Sequence, residues 1–150
     1  MYQERIFEQC IVINTNLSRV EKCITDLKLM HRWLNPMLRC EPVGDWGTNL
    51  GDRSRFVIKL PLLQPSLHSV VMERAEGLVV WQFDGFFQGC DRWECQSINE
   101  HQTKLINRFQ FTIPNPLVNL GFQLFAAQLT KKDMEQQLQR LKKIAENMAI

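Results

Sequence analysis

From Met37 to Ile113 the apolar residues recur at every second position, and from Pro114 onward they recur at every third or fourth. A period of two belongs to strands and a period near 3.6 to helices, so an extended region must pack against a helical tail. The extended segments are separated by Gly44-Asp45-Trp46-Gly47, Pro61 to Pro65, Glu76-Gly77, Asp84-Gly85 and Asn99-Glu100. Such links are too short for the crossover helices that parallel strands need, and they predict an antiparallel meander joined by hairpins.

Several predicted strands have one apolar and one wetter face. Phe56, Ile58 and Leu60 alternate with Arg55 and Lys59, and Phe109, Phe111 and Ile113 alternate with Arg108, Gln110 and Thr112. Val79, Trp81 and Phe83 share a face, as do Asp91, Trp93 and Cys95, whose neighbours Arg92 and Glu94 point the other way. A sheet covered on one side requires this pattern. In the tail, Met134, Leu138, Leu141, Ala145 and Met148 form one apolar stripe, whereas Leu117, Val118, Leu120, Phe122, Leu124 and Phe125 cover more than one face. A helix of some thirty residues would be about 45 Å long, longer than a small sheet is wide, so a bend is predicted at Gly121 or at Leu129-Thr130-Lys131.

Ahead of the meander, residues 4 to 14 predict a strand ending at Asn14-Thr15-Asn16. A short helix over about residues 19 to 27 follows, with Ser18 as N-cap and Glu21 as its capping-box partner. Leu29, Met30, Trp33 and Leu34 predict a second short helix, stopped by Asn35-Pro36 because proline disfavours helix in the residue before it.

A chain of 150 residues suits a single domain over 1–150. With 45% hydrophobic and 23% charged residues it has the balance of a soluble globular protein. A net charge of +2 with interspersed signs points away from nucleic acid, and Lys131, Lys132, Arg140, Lys142 and Lys143 read as the solvated face of a helix. The five cysteines form no C-x-x-C pair, which argues against a zinc site or a disulfide framework. The polar start of the chain and the lack of an apolar run of about 18 residues predict neither signal peptide nor membrane span, and a reducing cytosol is the expected location.

The order strand, two short helices, antiparallel strands and one long helix resembles the helix-grip arrangement of the START-like, or SRPBCC, superfamily. Asn14 to Ile24 and Met30-His31-Arg32-Trp33-Leu34-Asn35-Pro36 carry the sharpest local likeness, the latter being similar to the end of the second helix in polyketide cyclase/dehydrase-type members. Leu50-Gly51-Asp52-Arg53, Val80-Trp81 and Trp93 fall where that family has a Gly-initiated strand and two sheet tryptophans. The resemblance implies an α+β fold in which a curved antiparallel sheet wraps the C-terminal helix around an apolar cavity that takes lipids, quinones, sterols, polyketides or hormones.

The candidate cavity wall is Phe56, Ile58, Trp81, Phe83, Trp93, Phe109 and Phe111, faced by Phe122 and Phe125 from the helix. Trp33, with Met37 and Trp46, stands near the expected portal, where it either gates access or touches a bilayer surface, or else plugs the end of the core. His68 is a candidate acid or base if Val70 and Met72 face inward. Asp91 has the parity of Trp93; pointing inward it would need a partner such as Arg53, Arg55 or Arg108, and otherwise it is a solvated hairpin end. No nucleophile elbow, phosphate loop, dinucleotide fingerprint or metal spacing is present, so neither cofactor nor metal is expected. The pattern specifies no oligomer. Three functions fit: a carrier of a hydrophobic small molecule, an aromatase/cyclase-type enzyme, and an interaction module with a collapsed cavity.

Overall fold

A computed structural model describes residues 4–59, 64–121 and 127–148. Strand β1 (Arg5–Ile13) leads into helices α1 (Leu17–Thr25) and α2 (Leu27–Trp33), and strands β2 (Leu38–Pro42), β3 (Arg53–Ile58), β4 (Ser66–Ala75), β5 (Leu78–Asp84), β6 (Gln88–Asn99) and β7 (Gln102–Thr112) follow. Helices α3 (Pro116–Gly121) and α4 (Ala127–Glu146) complete the described elements. The strands form one seven-stranded antiparallel sheet in the order β1-β7-β6-β5-β4-β3-β2. The meander is as the short links require, and β1 joins it at the far edge by pairing with β7.

Helix α1 starts earlier than its capping signature suggests. Its N-cap is Asn16, whose Oδ1 accepts from Arg19 N at 3.0 Å, and Ser18 lies inside the helix. Glu21 does not return to the cap: one carboxylate oxygen takes the Arg74 guanidinium at 3.0 Å and the other the Gly77 N–H, fastening α1 to the β4–β5 hairpin. At the next junction one residue serves two helices, since Asp26 ends α1 and caps α2 through Leu29 N. Asn115 caps α3 by accepting from Leu117 N and Val118 N, with Pro116 in the first turn.

Helix α4 runs unbroken through Leu129, Thr130 and Lys131, so the predicted bend is not there; residues 122–126 lie outside the described set. Leu138, Leu141, Ile144 and Ala145 of α4 meet Val20, Cys23 and Ile24 of α1, Trp33 of α2, and Val79, Trp81, Trp93, Cys95 and Leu105 of the sheet. Each large apolar side chain so buried contributes about 2 kcal/mol. Helix α4 also fastens the β1 edge, through Gln9 Nε2 to Lys131 O (3.0 Å), Lys142 Nζ to Val12 O (2.7 Å) and Asn14 N to Glu146 Oε1 (2.8 Å). At the opposite edge His31 Nε2 accepts from Cys40 N of β2 at 3.1 Å, so α2 covers that strand in turn.

Candidate functional site

Alternation along paired strands sets the concave face one row at a time. One row carries Trp81, Asp91, Phe109 and Phe7 side by side on β5, β6, β7 and β1. The next carries Phe83, Gly89, Phe111 and Arg5, and the row on the other side carries Val79, Trp93, Asn107 and Gln9. Gly89 is required where it stands, since a Cβ there would lie 2.0 Å from Gln110 O of the neighbouring strand.

The face divides into two apolar clusters. Trp81 and Trp93 belong to the main core under α1, α2 and α4. Phe83, Phe111 and Ile113 form a second cluster with Phe7, Leu67, Phe87 and Phe109 packed against it. Phe83 stacks on Phe109 (centroids 5.2 Å apart), and Phe109 lies tilted against Phe111 at 4.5 Å. Asp91 sits at the junction, between Trp81 and Phe109 across the sheet.

The Asp91 side chain points inward, as the parity of β6 requires. Its Oδ2 accepts from Trp93 Nε1 at 2.9 Å and its Oδ1 from Asn107 Nδ2 at 2.8 Å; Asn107 also donates to Arg92 O at 3.1 Å. The carboxyl is enclosed by protein, while the residue as a whole is half-buried. Burial pushes its pKa up to about 6, and the hydrogen bonds from Trp93 and Asn107 oppose the rise without cancelling it. The expected arginine partner is corrected: Arg55 pairs with Glu41 and Arg108 with Glu8, both on the outer face, and Arg53 is exposed there. Neutral donors take the role instead. Asn107 is the site residue that sequence reasoning misses, although a polar residue interrupting the inward series Leu105, Phe109, Phe111 is its signal.

The other expected residues divide. Phe56 and Ile58 lie half-buried on β3, with Phe56 packed against the main core. Trp33 is only 2% exposed, donates from Nε1 to Cys23 O at 2.8 Å and lies 5.0 Å from Trp93, packed within the main core. Trp46 is latched to α1 through Thr25 O, and Met37 is exposed. Phe122 and Phe125 lie outside the described residues.

His68 is corrected. Ser69 pairs with Phe83 and Val71 with Trp81, which places Leu67, Ser69 and Val71 inward and leaves His68, Val70 and Met72 on the outer face. Apolar residues occupy both parities of β4, so alternation alone favours neither. His68 borders a groove of about 800 Å³ whose lining takes in Arg53, Val70, Gln82 and Asp84 together with Ser54, Ser69 and Phe83. On the inner face Ser54 and Ser69 hydroxyls bond each other at 2.5 Å.

Burial pushes the thiols of Cys23 to about 11 and of Cys40 and Cys95 to about 12, which makes them poor nucleophiles. Among the described residues no cluster of His, Cys, Asp and Glu suits a metal ion, and no helix is long and apolar enough to cross a membrane.

A family model described as polyketide cyclase/dehydrase and lipid transport matches residues 4–146. No curated protein matches the chain by sequence. Among solved structures, the chain is similar to TTHA0849 from Thermus thermophilus at 16% identity, with a TM-score of 0.74 and 94% of this chain and 97% of that one covered. It is also similar to the ZhuI aromatase/cyclase from Streptomyces sp. R1128 at 11% identity, with a TM-score of 0.75 and coverage of 96% and 94%. Truncated norcoclaurine synthase from Thalictrum flavum aligns at 9% identity with a TM-score of 0.70, covering 99% of this chain and 97% of that one. At these identities the likeness establishes the helix-grip fold alone.

Proposed function

Since the chain belongs to the polyketide cyclase/dehydrase and lipid transport family, we propose that it binds a hydrophobic small molecule, a lipid, an isoprenoid or quinone, or a polyketide-like compound, on the concave face of its sheet. The observation that carries this reading is the division of that face. The second aromatic cluster is separate from the core that α1, α2 and α4 complete, and the enclosed carboxyl of a half-buried residue lies where the two clusters meet. A face made only for packing would place an apolar side chain there, because burying a carboxyl is costly. Apolar contact would supply affinity at roughly 25 cal/mol per Å², less the ordering costs of association, and the polar groups would set orientation.

Native mass spectrometry of the purified protein, alone and with a panel of lipids, quinones and aromatic polyketides, tests the reading. One bound apolar molecule per chain is expected. A mass unchanged by every member of the panel would sink it and direct attention to protein partners.

The second reading is an aromatase/cyclase-type enzyme, favoured by the same Asp91. With its pKa near neutrality, its two neutral donors and its aromatic surroundings, the carboxylate suits a general base that takes a proton from carbon beside a carbonyl and returns it to oxygen. On a polyketide-like substrate, Asp91→Asn would lower kcat by about a hundredfold or more. Turnover that survives the substitution would remove Asp91 from that role.

A further inference from the structure

Among the described residues, Asp91 is a carboxylate held in an interior with no cation beside it. Its two hydrogen bonds come from an indole and an amide, both neutral, and use about half of the roughly four acceptor positions a carboxylate offers. On β5 the inward neighbours are Val79, Trp81 and Phe83, and on β7 they are Leu105, Asn107, Phe109 and Phe111, none of which carries charge. On β6 itself Trp93 and the un-ionised Cys95 thiol flank it. Among inward sheet positions, Arg5 bonds Asn119 Oδ1 at 2.9 Å and Arg74, across from Val79, bonds Glu21. From α4, Arg140 donates to Trp33 O and lies near Asp133. The residues outside the described set carry no lysine, arginine or histidine side chain.

A buried carboxylate without a cation is unfavourable unless it takes up a proton or a positive group meets it, and above its pKa only the second remedy remains. The surroundings of Asp91 specify what kind of group suits the place. Its direct cross-strand neighbours are aromatic on both sides, Trp81 and Phe109, within the spacing at which such pairs interact. Aromatic rings carry no competing charge, and a free ring face attracts a cation. Gly89 holds the adjacent inward position on β6, where the β7 backbone comes too close for any side chain and no charged group can stand beside the carboxyl.

We infer that the ligand carries a protonated amine or another organic cation, seated on the Asp91 carboxylate beside Phe109, with its apolar body against the half-buried Phe7, Phe87 and Phe109 of the second cluster. The inference rests on the reading of the concave face as an apolar ligand site and names the ligand's polar end. A neutral hydroxyl would also donate to the carboxylate but would leave its charge uncompensated and gain nothing from the rings.

The test compares naphthylethylamine with naphthylethanol, matched in size and apolar surface, by calorimetry on the full chain. At about pH 8 the amine is expected to bind about tenfold tighter or more. The advantage should shrink at about pH 5, where Asp91 takes up a proton, and the amine-to-alcohol ratio should fall to about one in Asp91→Asn. Carbon-13 NMR of the Asp91 carboxyl needs no variant: the bound amine should lower its titration midpoint and the alcohol should not. Equal affinity for the two probes at about pH 8, an advantage that persists in Asp91→Asn, or a midpoint unmoved by the amine would overturn the cation subsite alone. Binding of neither probe would remove the apolar ligand site and the subsite with it.

Discussion

At the scale of single residues, Asp91 makes stability depend on pH in an unusual direction. A carboxyl whose pKa rises from 3.8 unfolded to about 6 folded holds its proton more tightly in the native state. Its favourable contribution is therefore complete below about pH 4 and is lost as the pH rises through about 6, the reverse of a salt-bridged carboxylate. Glu94 and Glu146 behave the ordinary way, their pKa values lowered chiefly by hydrogen bonds from Arg92 and Lys142, so the total curve mixes both signs. The difference between wild type and Asp91→Asn isolates the Asp91 contribution. In urea titrations the wild type should lose on the order of 2 kcal/mol relative to the variant between about pH 4 and pH 7, and a flat difference would mean that the folded carboxyl titrates normally. Strand parity makes the direction of Asp91 legible, because Trp93 and Cys95 fix the inward face. Its partners are not legible. Asn107 lies sixteen residues away, and only the β6–β7 register brings the two together. His68 is misread because Val70 and Met72 on one parity compete with Leu67 and Val71 on the other, and burial, which the sequence does not state, decides between them.

At the scale of elements, the start of α1 shows how tertiary contacts redirect a local signature. Ser18 and Glu21 have the spacing of a capping box, and in an isolated peptide they would compete with Asn16 for the helix end. In the folded chain Glu21 is engaged by Arg74 and the Gly77 N–H, partners more than fifty residues distant, and Asn16 accepts the free N–H of the first turn. Asn16→Ala should accordingly cost about 1 kcal/mol in urea denaturation, and Ser18→Ala should stay within about half of that. The opposite ranking would restore Ser18 as the cap. The existence, type and order of α1, α2 and the meander are readable from period and punctuation, since those signals are local. The pairing of Glu21 is not, because nothing local to residue 21 encodes the arrival of the β4–β5 turn.

At the scale of the whole molecule, the sheet joins the beginning of the chain to its last strand. Change of period and short links identify a sheet gripping a helix, but the adjacency of β1 and β7 is a property of topology, and the resemblance to helix-grip proteins rather than periodicity supplies it. That adjacency also orders events in time. A chain emerging from the ribosome releases Phe7, Ile11 and Ile13 well before their partner strand, and the backbone groups they belong to find their ladder only when Thr103 to Phe111 have followed. Until then β1 has no partner strand while β2 to β6 can pair through hairpins, and closing the long loop between β1 and β7 costs more entropy than any of those hairpins. Helix α4, which leaves the ribosome later still, seals the β1 edge after it has formed. The β1 side of the concave face is thus the wall that arrives after the others, and Phe7, Ile11 and Ile13 stay uncovered until the chain has been made as far as β7.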